Sequence, residues 1–374
     1  MKSKKAVLII DSSEANPDLL YATGGFAVPD PVVFLKHGGE SILVLSDLEL
    51  ARGKKEAAVS KVIPLSRYAG SRGRRSLADI AAALAAERKI SRVEVGATFP
   101  LAFADALRKK GLKVSCASGA MLFEERMKKS AGEVSLIRKS LADTASAMRE
   151  ATALVLGAKA GRNGVLLSGG KPLTSERIKG VINSRLAGAG YSVSGTIVAC
   201  GEHSAMPHHG GEGPVFTGRP VVIDIFPRSP SGYFGDMTRT VVHGRPPPEI
   251  VRMHGAVLKA QRLAFGMIRH GVKAADVHGA VTEFFESSGF HTDRGETPQG
   301  FIHSTGHGLG MGLHEPPSVG PSGGVLREGN VVTVEPGLYY EGAGGVRIED
   351  VVVVTRSGCV NLTRCSKRLF NPCP

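Results

Sequence analysis

The chain has 374 residues, 42% of them hydrophobic and 22% charged, values typical of soluble globular proteins that exclude a disordered or fibrous class and allow two cores. No apolar run approaches the ~20 residues of a membrane span, and the run Ala6–Ile10 is too short for a signal-peptide core. Five cysteines at irregular spacings fit reduced thiols, so a cytoplasmic protein with no membrane partner is expected.

From Ala6 to about Ser118, short β-rich runs (AVLII, SILVL, KVIPL, RVEVG, LKVSCAS) alternate with helix-like segments at Ser76–Arg88 and Leu101–Lys110. This alternation predicts an α/β layer domain. The formal net charge of +13 is concentrated here, most visibly in Ser71-Arg72-Gly73-Arg74-Arg75. No aromatic residue interleaves with that run, so a solvated basic loop is expected and nucleic acid is not an expected partner. Phe123–Gly132 is charged and aperiodic, and a long helical pattern (Val134, Ile137, Leu141, Met148, Val155) follows it. The expected boundary therefore lies near Lys129, giving domains 1–129 and 130–374.

The second part repeats one plan twice: two helices, then a hairpin. Helices near 133–156 and 174–187 precede VVIDI and GDMTRTVV; helices near 248–270 and 274–288 precede VVTVEP and GGVRIEDVVVV. Gly271 is expected to cap one of these helices at its C-terminus. Such a repeat predicts a pseudo-symmetric pair of α/β units sharing a sheet, with the two hairpins face to face.

Each hairpin carries two carboxylates. Asp224 and Asp236 are centred on Pro230, inside the turn formers Arg228-Ser229-Pro230-Ser231-Gly232, and are expected to stand directly opposite each other. Glu335 and Glu349 are centred on Gly342 in the same way. One buried carboxylate without a partner costs several kcal/mol, roughly, and four together repel unless protons or cations compensate. Each acid alone reads as a surface residue; two symmetric pairs on apolar strands read as a cation site. His307 lies in His303-Ser304-Thr305-Gly306-His307-Gly308-Leu309-Gly310. A phosphate loop is the competing reading of these glycines, but the Lys-Ser/Thr ending of a P-loop is missing, so a metal loop is expected. Arg347, two residues before Glu349, shares its strand face and is placed to hold a liganding carboxylate.

These pieces, Asp224 with Asp236-Met237-Thr238-Arg239-Thr240, Gly306-His307-Gly308-Leu309-Gly310, Val334-Glu335-Pro336-Gly337 and Arg347-Ile348-Glu349-Asp350, resemble the pita-bread metallopeptidases: Xaa-Pro aminopeptidases, prolidases and methionine aminopeptidases. The resemblance covers essentially the whole chain. It implies an α/β (α+β) two-domain fold, with a creatinase/prolidase-type N-terminal domain followed by a pita-bread catalytic domain of pseudo-two-fold symmetry. It further implies two divalent ions bridged by Asp236 and Glu349, with Asp224 completing one shell and His307 and Glu335 the other. Because methionine aminopeptidases generally lack the first domain, it favours the proline-directed branch. His208, His303 and His314 match catalytic-pocket positions, with His209 beside His208 where relatives often carry an aromatic residue. Phe226-Pro227-Arg228 departs from the small residues that relatives commonly carry there.

The hard, oxygen-rich ligand set favours Mn²⁺ and admits Co²⁺, Zn²⁺ or Fe²⁺. The implied reaction is hydrolysis of a peptide whose second residue is proline, with Glu335 as proton shuttle and His208 or His314 steadying the tetrahedral oxyanion. Strict dipeptide cleavage is the alternative, and a non-catalytic binding relative with a basic first domain is the third reading. Relatives with this first domain are usually dimers, so a homodimer is expected.

Overall fold

A computed structural model describes residues 5–68 and 76–370; the basic run Ser71–Arg75 lies outside them. The chain divides into two compact units, Met1–Arg126 and Met127–Pro374. Lys129, near the expected boundary, belongs to the second unit, where its backbone N–H donates to the Gly329 carbonyl at 2.8 Å. Its buried ammonium pairs with the buried carboxylate of Glu315.

The first unit contains β1 (Ala6–Asp11), α1 (Pro17–Ala22), β2 (Val32–His37), β3 (Glu40–Leu45), α2 (Leu50–Glu56), β4 (Lys61–Pro64), α3 (Leu77–Glu87), β5 (Arg92–Val95), α4 (Leu101–Lys109) and β6 (Lys113–Cys116). They form one six-stranded sheet in the order β4-β3-β2-β1-β5-β6. The outer pairs are parallel, as the alternation of strand and helix predicts, but β1, β2 and β3 pair antiparallel. The reason for the β2–β3 pairing is local. Gly38 and Gly39 both take positive φ and close a tight reversal directly after β2. Helix α3 starts where expected because Ser76 and Asp79 form a reciprocal capping box.

The second unit opens with α5 (Ala131–Leu156), again started by a capping box, between Ser130 and Glu133. Ile137, Leu141, Met148 and Val155 of the expected period are all buried. A small three-stranded sheet, β7 (Lys159–Ala160), β8 (Leu166–Ser168) and β9 (Lys171–Pro172), leads to α6 (Ser175–Gly188). Then come β10 (Ile197–Cys200), β11 (Pro220–Ile225) and β12 (Met237–Val242), which form the sheet β10-β11-β12. The second repeat supplies α7 (Pro248–Met267) and α8 (Ala274–Ser287). Its strands are β13 (Thr292–Asp293), β14 (Gln299–Gly300), β15 (Gly306–Gly308), β16 (Glu315–Val319), β17 (Val331–Val334), β18 (Gly337–Tyr340), β19 (Gly344–Arg347), β20 (Asp350–Val354) and β21 (Cys359–Asn361).

Two expectations need correction. Helix α7 ends at Met267 with Ile268 as its C-cap, so Gly271 instead shapes the connection to α8 with φ +87°. The hairpins also do not meet face to face. Strand β12 runs beside the second hairpin, joined to it by the Glu349 N–H donating to the Thr238 carbonyl at 3.1 Å and by the Thr240 hydroxyl donating to the Arg347 carbonyl at 3.0 Å. Among the described residues no helix is long and apolar enough to cross a membrane.

Candidate metal centre

The two carboxylate hairpins differ in register. Asp224 pairs with Thr238, and the same register runs through Ile225 and Met237 to the bridge between Arg228 and Phe234. The turn is thus centred on Ser231 rather than Pro230, and the expected direct opposition of Asp224 and Asp236 fails by one step of the pleat. They lie diagonally on one face, with Phe226 standing opposite Asp236 in the register. Period two still sends both carboxylates to the same side.

Glu335 and Glu349 do stand opposite each other. Val334 pairs with Asp350 and Gly337 with Arg347, so one register, centred on Gly342 with φ +77°, passes through both glutamates. Here the ladder breaks into β17–β20 and β18–β19, because Pro336 has no N–H to give.

The glycines around His307 have a packing reason that displaces the phosphate-loop reading. A Cβ on Gly306 would collide with the Thr333 carbonyl oxygen, and one on Gly308 with the Glu315 and Pro316 carbonyls. Only glycine lets β15 fit between β16 and β17, and that fit carries His307 to the carboxylates. His307 Nδ1 lies 3.1 Å from the Gly308 carbonyl; since a carbonyl only accepts, Nδ1 carries the proton and Nε2 keeps a free lone pair. That Nε2 is 3.4 Å from Glu335 Oε1 and 3.6 Å from Asp236 Oδ2.

One ligand atom each from Asp236, His307 and Glu349 lies within 4.8 Å of the others, a spacing that a cation can bridge. Asp224 Oδ1 is buried with no hydrogen-bond partner, which is costly unless a cation meets it. Burial, with Asp224 and Glu335 close by, pushes the Asp236 carboxyl well above its ordinary range, and burial beside Asp236 does the same to Glu349. Burial pushes Glu335 up to about 7, against the nearby Arg347. Acids so disfavoured as anions, set around an orphaned oxygen and a neutral imidazole, fit divalent cations.

Arg347 is bonded to one of the four carboxylates, Asp224. Its buried guanidinium donates from Nη2 to Asp224 Oδ2 at 2.8 Å and from Nη1 to the Tyr339 hydroxyl at 2.8 Å. Its Nε donates at 3.2 Å to the Thr238 hydroxyl, which in turn donates to Glu349 Oε2 at 2.8 Å. Asp224 therefore has one oxygen fixed and the other free.

The three further histidines line the same cavity, of about 960 Å³, with all five candidate ligands. His303 Nδ1 donates to the Ser304 carbonyl at 2.8 Å, so its Nε2 accepts from the Tyr339 hydroxyl at 2.9 Å. Burial and the Arg347 charge lower its pKa to about 3, leaving it neutral. His314 packs edge-on to His307 with ring centroids 4.3 Å apart, and burial lowers its pKa too. His209 stacks on His203 at 4.1 Å and accepts from the Gly211 N–H at 2.9 Å, whereas His208 has no such tether among the described contacts. No motif of its own singles out Tyr339 or Thr238 in the sequence, although Thr238 sits inside the quoted motif and Tyr339 lies on the hairpin between two candidate ligands.

The model of metallopeptidase family M24 matches residues 135–356. A probable dipeptidase, PepE, of Mycobacterium bovis is 36% identical over 50% of this chain and 49% of its own length, so the chain spans about half the length of such curated relatives. An Xaa-Pro dipeptidase of Pyrococcus horikoshii is 28% identical over 99% of this chain and 98% of its own. Among solved structures, an X-Pro aminopeptidase from Thermotoga maritima superposes with a TM-score of 0.81 at 27% identity, over 98% of this chain and 97% of that one. The prolidase from Pyrococcus horikoshii gives 0.82 at 27% identity over 98% and 96%. The pita-bread architecture expected from the motifs is thus the architecture of this chain.

Proposed function

Because the chain belongs to metallopeptidase family M24, we propose that it is a metal-dependent aminopeptidase that hydrolyses the bond between an N-terminal residue and a following proline. The observation that carries this reading is the convergence of Asp236, His307 and Glu349 within 4.8 Å beside the unpartnered oxygen of Asp224. Asp236 and Glu349 would be shared between two divalent ions, Asp224 would serve one, and His307 and Glu335 the other. A hard carboxylate set favours Mn²⁺, with Co²⁺, Zn²⁺ or Fe²⁺ admitted. When bound, such a pair lowers the pKa of water and polarises the scissile carbonyl.

The chain's own groups do the rest. Glu335, which lines the cavity at the ion positions, takes and returns the proton. His208 or His314 supplies a ring N–H group towards the oxyanion. His303 is held rigid by Tyr339 and Ser304 and offers a neutral wall to the proline ring. Arg347 orients Asp224.

Peptides longer than two residues are favoured over dipeptides by the charge of the cavity. Among the described residues its lining contains no lysine and one guanidinium, that of Arg347, already engaged with Asp224 and Tyr339. A strict dipeptidase must pair the free carboxylate one residue beyond the scissile bond, and an unpaired anion there is costly. The names of the Pyrococcus relatives support the dipeptidase alternative. Assays of Ala-Pro-Ala and Ala-Pro, before and after chelation and Mn²⁺ restoration, test both. Tripeptide cleavage lost on chelation supports the reading, dipeptide cleavage alone selects the alternative, and chelator-resistant cleavage refutes the metal role. The family resemblance supports a homodimer, testable by light scattering.

A further inference from the structure

Behind the carboxylates lies a second layer of polar groups that holds the strands rather than the ions. Gln261, on α7, is 1% exposed. Its side-chain nitrogen donates to the Val334 carbonyl at 2.9 Å and to the Ile348 carbonyl at 3.1 Å. Those carbonyls belong to the residues immediately before Glu335 and Glu349, at the point where Pro336 breaks the ladder. An amide has two hydrogens, and here each goes to one arm of the hairpin.

The amide is itself fixed. Lys367 Nζ donates to Gln261 Oε1 at 2.6 Å and to Asp350 Oδ2 at 2.5 Å. Asp350 Oδ1 accepts from Arg239 Nη2 at 2.8 Å, and Arg239 Nη1 donates to the Glu349 carbonyl at 2.6 Å and the Thr238 carbonyl at 2.8 Å. The chain Gln261, Lys367, Asp350, Arg239 thus grips the backbone next to both glutamates and in the Asp236 strand, without touching the ion positions.

We infer that Gln261 is a positioning residue for the metal centre, clamping the Glu335 and Glu349 arms at the spacing the ions require, with Lys367 orienting its amide. This rests on the reading of the carboxylates as ligands and does not depend on which peptide is cleaved. A polar group buried this deeply against two main-chain carbonyls has an alternative role, ordinary strand cohesion, which sets the thermal stability of the metal-free protein but not its metal affinity.

The test is Mn²⁺ titration of the metal-free full chain by calorimetry, with Mn²⁺ electron paramagnetic resonance to report whether two ions couple. Gln261→Met keeps the length and removes both donors. Its dissociation constant for Mn²⁺ should rise by about 10- to 100-fold, the usual effect of losing a group that orients a ligand, and the coupled signal should weaken. Gln261→Glu, which keeps the bond to Lys367 but not the donors, should fall in the same range. Lys367→Met should raise the constant by a smaller factor, and carries the test if the Gln261 variants do not fold. Unchanged Mn²⁺ affinity and coupling in folded variants would overturn the inference, whatever happens to their melting temperature. If the parent binds two ions yet cleaves no Xaa-Pro peptide, the peptidase reading fails and this one stands.

Discussion

Replacing Arg347 by Met isolates its buried ion pair with Asp224. Arg347 is 3% exposed and Asp224 9%, so the pair bonded at 2.8 Å is almost free of solvent. Removing one partner of such a pair leaves an uncompensated buried charge and costs about 3–5 kcal/mol. At ~2 °C per kcal/mol for a unit the size of Met127–Pro374, the metal-free variant should melt about 6–10 °C below the parent. Mn²⁺ changes the comparison, because a cation against Asp224 Oδ1 replaces part of what the guanidinium did at Oδ2. The deficit of the variant should therefore be clearly smaller in saturating Mn²⁺ than in chelator. Differential scanning calorimetry on all four samples measures it. Equal deficits with and without metal, or a metal-free shift below about 3 °C, would refute the idea that Asp224 is shared between Arg347 and a cation.

Other perturbations test different links. His307→Ala should bind one Mn²⁺ fewer by calorimetry, with its remaining activity down about 100-fold or more, since both an ion and the orientation it gives are lost. Gly306→Ala should abolish metal binding through its collision with the Thr333 carbonyl, seen as lost calorimetric heat in a protein with near-parental circular dichroism. Phe226→Ala should raise kcat/KM for bulky N-terminal residues relative to Ala in an Xaa-Pro-Ala series, because the ring lines the cavity beside Asp236; an unchanged ranking would remove Phe226 from substrate selection. His254, 7% exposed on α7, has its pKa lowered by burial to about 4. A lowered folded pKa gives stability that is present above the unfolded value near 6.5 and lost as pH falls through 4, here about 3 kcal/mol. Urea titrations from pH 7 to 4 should show the parent losing this amount relative to His254→Gln, and parallel curves would reject it.

Much of the candidate site is legible because each candidate ligand has a local cause. Period two puts Asp224 and Asp236 on one face whether or not they are opposed, so the sequence reading survives a register that is displaced from Pro230 to Ser231. The Glu335 and Glu349 hairpin is centred on Gly342, as its symmetry predicts, because that glycine takes the positive φ of the turn. The glycines beside His307 signal close backbone approach. What was not legible depends on distant segments: Gln261 and Lys367 meet 106 residues apart in sequence, and neither carries a motif. The antiparallel pairing inside the first sheet was equally hidden, since AVLII and SILVL fit either direction, and the glycine pair at 38–39 was the available sign.

The two repeats are alike in plan and unlike in chemistry, and the difference is useful to a hydrolase. In the first hairpin the carboxylates are diagonal, and Phe226 takes the place opposite Asp236. In the second they are opposed, across a ladder that Pro336 interrupts. His303, His307 and His314 come from the second repeat's loop alone, and burial keeps all three neutral. The acid cluster is thus bordered by imidazoles that add no positive charge, and His307 keeps a free ring nitrogen towards it. His307 reaches both Asp236, at 3.6 Å, and Glu335, at 3.4 Å, while the first repeat contributes His208 and His209 to the same cavity, so the imidazoles are divided unequally between the repeats. Under the proposed peptidase reading this asymmetry would give a peptide one direction in which to bind, with Phe226, which lines the cavity with Asp236, at one end of it.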